Sequence, residues 1–429
     1  MSPSSLKPGS FVEINTLKEI FSGIILPSTN NKIVSLKLNN GYNIGIEKNK
    51  IKKIKIINKK QQKPNQNLIK QDKNLPKIVV IHTGGTIASK VDYKTGGVSA
   101  SFTSDDLLSL FPDLKNIAYI DSIFLSNIMS EDIRFSHYQD LCKEIQKQLK
   151  KNPKGIIIGH GTDTIALTAA ALAFMIENPP IPIILVGAQR SSDRGGSDAS
   201  LNLLSASYFI TKSNFKGIAI CMYKNSSDET CLILPPTKTR KLHTSRRDAF
   251  KPVNDTPIAE VNYRKQEIKF LKPQEENNNK LIIKDKFQNK VAIIKTHPNM
   301  FPDLINTLTS KKYKGLILEG TGIGQAPTNI KENIPNYNAL KKFIKSGGII
   351  LLTSQCIFGR VHENIYANCR RLKEIGVIFG QDMLTETAFI KLAWLLGNFN
   401  KKQALELLNK NLRGEINSRI LPDQYFEEK

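Results

Sequence analysis

Two turns rich in hydroxyl side chains follow short apolar runs in this chain, and both could carry chemistry. The first is TGGT at 83–86 and the second is GTDT at 161–164. Open α/β sheets place their binding sites at the carboxyl ends of such strands. Glycines let a small ligand approach the backbone closely, and a threonine hydroxyl offers a nucleophile. The alternative is that Thr162 or Asp163 only caps the helix that follows.

The basic segment RKLHTSRRD at 240–248 supplies the lysine that such a threonine needs. A threonine is a poor nucleophile unless some group takes its proton, and a desolvated lysine can do so when its pKa is lowered. This requirement directs attention to the segment. On composition alone, the segment is more typical of a solvated or phosphate-binding loop.

Several other kinds of site are excluded by the motifs. The chain has no phosphate-loop sequence, and GTGIG at 320–324 lacks the dinucleotide spacing, so no nucleotide site is expected. The six histidines show no ligand spacing such as HExxH. The five cysteines are odd in number and form no CxxC pair, which predicts reduced thiols, a cytoplasmic location and no structural zinc.

The charge of the chain is strongly positive. Lysine and arginine number 62 against 38 aspartates and glutamates, a formal net charge of +24. Such a balance favours a polyanion such as tRNA as a neighbour. AT-rich codons or a high intracellular salt concentration would explain the lysines equally well.

The N-terminal segment alternates five strand-like runs, at 10–14, 21–27, 33–38, 42–47 and 51–56, with turn signals, which is typical of a small β-barrel. The chain then becomes rich in Lys, Gln and Asn, as in a solvated linker. Further on, strands alternate with helical patterns, which predicts α/β domains with parallel sheets and helices on both faces. We therefore expect a barrel at 1–57, a linker at 58–76, a large α/β domain at 77–270 and a smaller one at 271–429. The polar stretch 254–290 is expected to be irregular.

No membrane segment is expected. The first nine residues have no apolar core of the kind found in a signal peptide. The longest apolar stretch, 165–176, is too short to span a bilayer.

Both hydroxyl turns also carry a family resemblance. TGGTIA at 83–88 and HGTDT at 160–164 resemble the two signatures of bacterial-type asparaginases. NGYNIGI at 40–46, GAQRSSDR at 187–194 and the 240–250 segment resemble, more narrowly, the GatD family of archaeal glutamyl-tRNA(Gln) amidotransferases. Free asparaginases lack the N-terminal barrel. The resemblance implies an asparaginase-like pair of α/β domains after that barrel.

The resemblance also implies roles for individual residues. Thr86 would be the nucleophile that attacks the side-chain amide of glutamine or asparagine. Lys241 would act as the base, Asp163 would hold that lysine charged and oriented, and Thr162 would relay a proton or activate water. Backbone N–H groups of the glycine-rich turns would stabilise the oxyanion.

Two further positions match those that hold the amino acid in the family. Ser130 and Glu131 would bind its α-carboxylate and α-ammonium groups. The family also carries a lid tyrosine after the first signature, for which Tyr93 is a candidate that we leave out of the predicted site.

The resemblance implies partners as well. No cofactor or metal is expected in this chain, whereas ATP and Mg²⁺ would be used by a synthetase-like partner subunit that activates Glu-tRNA(Gln). A homodimer within a larger hetero-oligomer is expected, because the family's active sites lie at a subunit interface. A free-standing asparaginase or glutaminase and a nucleic-acid-binding module are the alternatives.

Overall fold

The computed structural model describes most of the chain. The residues described are 7–17, 19–28, 30–38, 42–57, 70–85, 90–91, 98–99, 103–192, 196–227, 229–274 and 279–421.

The strands and helices alternate through most of this length. In chain order the strands are β1 (Phe11–Thr16), β2 (Ile20–Ile25), β3 (Ile33–Leu38), β4 (Asn43–Glu47), β5 (Ile51–Ile56), β6 (Lys77–His82), β7 (Lys90–Val91), β8 (Val98–Ser99), β9 (Tyr119–Phe124), β10 (Gly155–Gly159), β11 (Ile176–Glu177), β12 (Pro182–Val186), β13 (Gly217–Tyr223), β14 (Cys231–Leu234), β15 (Thr239–Lys241), β16 (Phe250–Pro252), β17 (Ala259–Asn262), β18 (Glu267–Phe270), β19 (Ile282–Ile283), β20 (Val291–Lys295), β21 (Gly315–Gly320), β22 (Ile349–Ser354) and β23 (Ile378–Phe379). The α-helices are α1 (Ser104–Leu110), α2 (Phe135–Leu149), α3 (Ile165–Met175), α4 (Ala199–Lys212), α5 (Asp303–Ser310), α6 (Ile334–Lys345), α7 (Ala367–Glu374), α8 (Thr385–Asn398) and α9 (Lys401–Leu408). Within the described ranges, no helix has both the length and the apolar character needed to cross a bilayer.

The N-terminal sheet contains five antiparallel strands in the order β4-β3-β2-β1-β5. Val12 and Ile14 alternate with polar residues along β1 and pack in a small core with Leu36 and Ile54. The five predicted strands are confirmed. In the described part of the segment no ladder joins β4 to β5, so closure into a barrel stays a prediction.

The large sheet has eight strands in the order β18-β17-β14-β13-β12-β10-β6-β9. Five consecutive strands in this order pair in parallel: β13, β12, β10, β6 and β9. The central strand β10 is buried throughout: Ile156 and Ile158 face one core, and Ile157 faces the other. Burial on both faces explains why these strands are continuously apolar in sequence. The predicted α/β architecture is confirmed here.

One expectation about the large sheet was wrong. The stretch 254–290 was expected to be irregular because it is polar, but β17 and β18 form within it and extend the sheet with antiparallel pairings. β18 is an edge strand with exposed Glu267 and Lys269, and such strands tolerate polar side chains because one face meets water. How the chain divides into independent domains stays a prediction.

The smaller sheet is parallel, in the order β20-β21-β22-β23. One of its faces packs with α5, α6 and α7. Its other face shares a core with α3 and α8 and with the large sheet, and Trp394 of α8 stacks on Phe174 of α3 at a centroid distance of 5.5 Å. Helix α8 therefore lies where the two sheets pack together.

A buried ion pair connects the segment before α8 to the large α/β unit. Lys238 Nζ lies 2.6 Å from Asp382 Oδ2, and neither side chain is exposed. Burial lowers the pKa of Lys238, while the Asp382 carboxylate opposes this effect by favouring the ammonium. Lys238 also donates to the Asp382 carbonyl at 2.8 Å, and Asn417 N–H donates to Asp382 Oδ1 at 3.0 Å.

Replacing Lys238 by methionine should destabilise the protein, because Asp382 would remain buried without its counter-charge. The expected loss is about 3 to 5 kcal/mol of unfolding free energy, measured by urea unfolding followed by circular dichroism. As a control, Lys50→Met removes an exposed pair with Glu47 and should leave the unfolding midpoint almost unchanged. Equal midpoints for both variants would contradict this role of the pair.

Candidate active site

Lys241 joins two of the predicted catalytic residues. Its Nζ donates to Thr162 Oγ1 at 3.0 Å and to Asp163 Oδ1 at 2.7 Å. The Lys241 side chain is only 14% exposed, whereas Asp163 is 66% exposed. Lys241 comes from β15, which pairs with β16, and the other two residues lie in the turn after β10. Residues about 80 positions apart therefore meet through one ammonium group.

The capping alternative for Thr162 and Asp163 does not hold. Helix α3 has Thr164 at its N-cap position, and this residue makes no side-chain capping bond. The Thr164 hydroxyl donates instead to the carbonyl of Ser130 at 2.6 Å. The turn is thus tied to the Ser130 segment, and the Asp163 carboxylate accepts from Lys241.

The two hydroxyl turns touch each other through their glycines. Gly85 has a φ of +79°, and a Cβ at this position would lie 2.5 Å from the Cα of Gly161. The Thr83 hydroxyl donates to the Gly159 carbonyl at 3.0 Å, so this threonine has a structural bond rather than a free hydroxyl. The predicted nucleophile Thr86 and the lid candidate Tyr93 lie outside the described residues.

A cavity of about 230 Å³ lies at this junction. Its lining includes all five of the predicted site residues that the structure describes: Ser130, Glu131, Thr162, Asp163 and Lys241. Gln189, which was not predicted, also lies on this wall. Ser130 is buried, and a Cβ at Gly161 would lie 2.7 Å from its Cβ. Glu131 is exposed. The described part of the chain contains no group of three or more His, Cys, Asp or Glu side chains that could hold a metal ion.

Gln189 follows the buried strand β12. In the sequence it belongs to GAQRSSDR at 187–194, which carried a family resemblance but no predicted role for Gln189. A glutamine is usually a surface residue, so nothing in its type singled it out.

Three family models match successive parts of the chain. A family model described as "Asparaginase, N-terminal" matches residues 77–276, and "Glutaminase/Asparaginase C-terminal domain" matches 290–408. A third, "GatD N-terminal domain", matches residues 6–57.

Full-length relatives narrow the assignment. The GatD subunit of the glutamyl-tRNA(Gln) amidotransferase of Methanococcus maripaludis strain C7 is 43% identical, over 96% of this chain and 98% of the relative. Its counterpart in Pyrococcus furiosus is 39% identical over 99% of this chain and 98% of the relative. The chain belongs to the GatD family.

Solved asparaginases share most of the fold. L-asparaginase from Thermococcus kodakarensis is 28% identical, with a TM-score of 0.72, and the match covers 80% of this chain and all of that one. L-asparaginase I from Vibrio cholerae is 26% identical, with a TM-score of 0.69 over 80% of this chain and 99% of that one. This GatD-family chain is thus longer than the asparaginases it matches.

His160 supports the second turn of this GatD-family chain without entering the cavity wall. It is fully buried; one ring nitrogen lies 2.7 Å from the Gly161 carbonyl oxygen and the other 2.8 Å from Thr168 Oγ1. Burial lowers its pKa from 6.5 to about 4. Burial lowers the pKa of His82 to about 4 as well. Both rings are therefore neutral at pH 7.

Acid should destabilise the fold through His160. Between pH 6.5 and about 4 the unfolded chain binds a proton that the folded chain does not, so stability is full above pH 6.5 and falls as the pH drops. The total loss is about 3 kcal/mol for this group. Urea unfolding at pH 7 and pH 5 should show a shallower pH dependence for His160→Gln than for the wild type. Identical slopes would contradict the lowered pKa.

Proposed function

We propose that this chain is the ammonia-producing subunit of a tRNA-dependent amidotransferase, and that it hydrolyses the side-chain amide of glutamine or asparagine. One observation carries the proposal: Lys241 Nζ reaches both Thr162 and Asp163 at the wall of a cavity that also contains Ser130 and Glu131. This combination offers a hydroxyl, a cation and carboxylates to one small polar ligand.

The chemistry begins with attack of the Thr86 hydroxyl oxygen on the amide carbon. The carbon–nitrogen bond breaks, the nitrogen takes a proton and ammonia leaves. Water then attacks the acyl-threonine, which frees the acid and restores the hydroxyl. Lys241 accepts the Thr86 hydroxyl proton through Thr162 and returns it to the leaving nitrogen, and Asp163 orients the ammonium that forms through its 2.7 Å contact. Backbone N–H groups of the two turns stabilise the oxyanion.

Ser130 and Glu131 would hold the amino-acid end of the substrate. A carboxylate such as Glu131 attracts an α-ammonium group, and the Ser130 hydroxyl can donate to an α-carboxylate. The Thr164 hydroxyl fixes the Ser130 carbonyl at 2.6 Å, which keeps this segment against the turn at Gly161. The residues that bind the substrate and those that act on its amide would then lie on one rigid wall of the cavity.

The ammonia would pass to a synthetase-like partner subunit that uses ATP and Mg²⁺ to activate Glu-tRNA(Gln), giving Gln-tRNA(Gln). The GatD family membership and the match over residues 6–57 support this division of labour. We expect a homodimer of this chain within a larger cytoplasmic complex. A net charge of +24 suits a complex that holds tRNA.

Removing the nucleophile should abolish the activity. Thr86→Val replaces the hydroxyl at nearly constant volume, and we expect amide hydrolysis to fall by at least about 10³-fold with an unchanged circular dichroism spectrum. Lys241→Met should cost about 10²-fold or more and still fold, because Asp163 remains solvated. The control Thr211→Val removes a hydroxyl on α4, away from the cavity. Retained glutaminase activity in Thr86→Val would refute the nucleophile assignment.

The assay should use the purified chain with and without the partner subunit and Glu-tRNA(Gln), and both glutamine and asparagine. Strong activation by the partner and the tRNA is the expected result. High asparaginase activity of the chain alone would point to a free-standing enzyme, and tRNA binding without any amide hydrolysis would overturn the enzymatic proposal.

A further inference from the structure

Gln189 lines the catalytic cavity and carries an unsatisfied hydrogen-bonding group. The residue lines the same cavity as Thr162 and Lys241. Its side-chain nitrogen is shielded from solvent and has no hydrogen-bond partner among the described residues. Leaving a shielded donor unpaired costs free energy, so each such group calls for an explanation. A ligand that offers an acceptor would remove this cost.

The backbone that carries Gln189 is firmly held. The amide N–H groups of Gln189 and Arg190 each donate to one carboxylate oxygen of Asp198, both at 3.0 Å. Asp198 is fully buried, and Asn202 donates to the Gly187 carbonyl at 3.1 Å on the other side of the turn. A side chain on such a support is preorganised for binding rather than loosely placed.

The chemistry of the cavity gives Gln189 a distinct role. The other polar side chains on the described wall are hydroxyls, the Lys241 ammonium and the carboxylates of Glu131 and Asp163. Gln189 alone among them carries a neutral amide, with one acceptor and two donor hydrogens. A carboxamide has the same set, so two amides can pair by two hydrogen bonds. The acid product offers only acceptors.

We propose that Gln189 pairs with the side-chain carboxamide of the substrate and favours the amide over the acid product. The cavity of about 230 Å³ suits a single amino acid, so a ligand there lies within reach of both Gln189 and Lys241. The inference rests on the proposed function. It adds the group that distinguishes glutamine or asparagine from glutamate or aspartate.

Two substitutions test the pairing in the complete complex with the partner subunit. Gln189→Met keeps the length of the side chain but removes both donor and acceptor, so KM for glutamine should rise about ten-fold while kcat changes little. The inhibition constant for glutamate should change less than about two-fold. Gln189→Glu adds a charge that repels the product carboxylate, so the inhibition constant for glutamate should rise more than KM for glutamine.

The thermal midpoint separates binding from support of the fold. Because Gln189→Met removes an unpaired donor, the midpoint of the ligand-free protein should stay the same or rise. Gln139→Met is the matched control, since its side chain donates to the Asp285 carbonyl outside the cavity. That control should leave KM and the inhibition constant at their wild-type values.

Three outcomes would overturn the inference. They are an unchanged KM in Gln189→Met, an equal rise in KM and in the inhibition constant for glutamate, and a lowered thermal midpoint with no change in KM. Each of these outcomes counts against the inference only when the wild-type complex hydrolyses glutamine. A wild-type complex without amide hydrolysis would refute the proposed function itself, so the two failures are distinguishable.

Discussion

The site depends on a backbone contact that is closer than any side chain would permit. β6 and β10 are adjacent parallel strands with His82 opposite Gly159, so the two hydroxyl turns leave the sheet side by side. A Cβ at Gly85 would meet the backbone of Gly161, and a Cβ at Gly161 would meet Ser130. Three segments distant in sequence therefore close on one point. Backbone atoms rather than side chains fill this junction, so peptide groups lie close to the cavity.

A buried ion pair anchors the hairpin that carries the Lys241 cation. Lys241 lies on β15, which belongs to a two-stranded hairpin rather than to the large sheet. Lys238, just before β15, finds its counter-charge at Asp382, just before α8. A pair of packed apolar residues could stabilise this position equally well, but a buried ammonium is stable only where a carboxylate faces it. The pair thus specifies where the hairpin joins the helix that packs between the sheets.

Much of the architecture could be predicted because each buried strand is a continuous apolar run and each turn carries small or hydroxyl residues. β10 and α3 show both signals, and their ends follow from them. β17 and β18 were missed because each has only four residues and lies within a polar stretch, although Ala259 and Val261 of β17 alternate with polar residues as expected of an antiparallel strand. The meeting of Lys241 with Thr162 was implied by a family resemblance, since no local pattern encodes a contact across about 80 residues. Gln189 was missed because it is distinguished by a buried side-chain nitrogen and a place on the cavity wall, and neither can be inferred from the residue type.

One residue of the N-terminal segment lies near the chain that supports this same wall. The Tyr42 hydroxyl, just before β4, lies 3.9 Å from the position that a Cβ on Gly196 would take. Two residues later, Asp198 holds the N–H groups of Gln189 and Arg190. Ser197 donates to the Arg190 carbonyl at 2.8 Å and closes the same segment. Tyr42, which belongs to the segment that matches the GatD N-terminal family model, therefore lies close to a segment whose hydrogen bonds support the cavity.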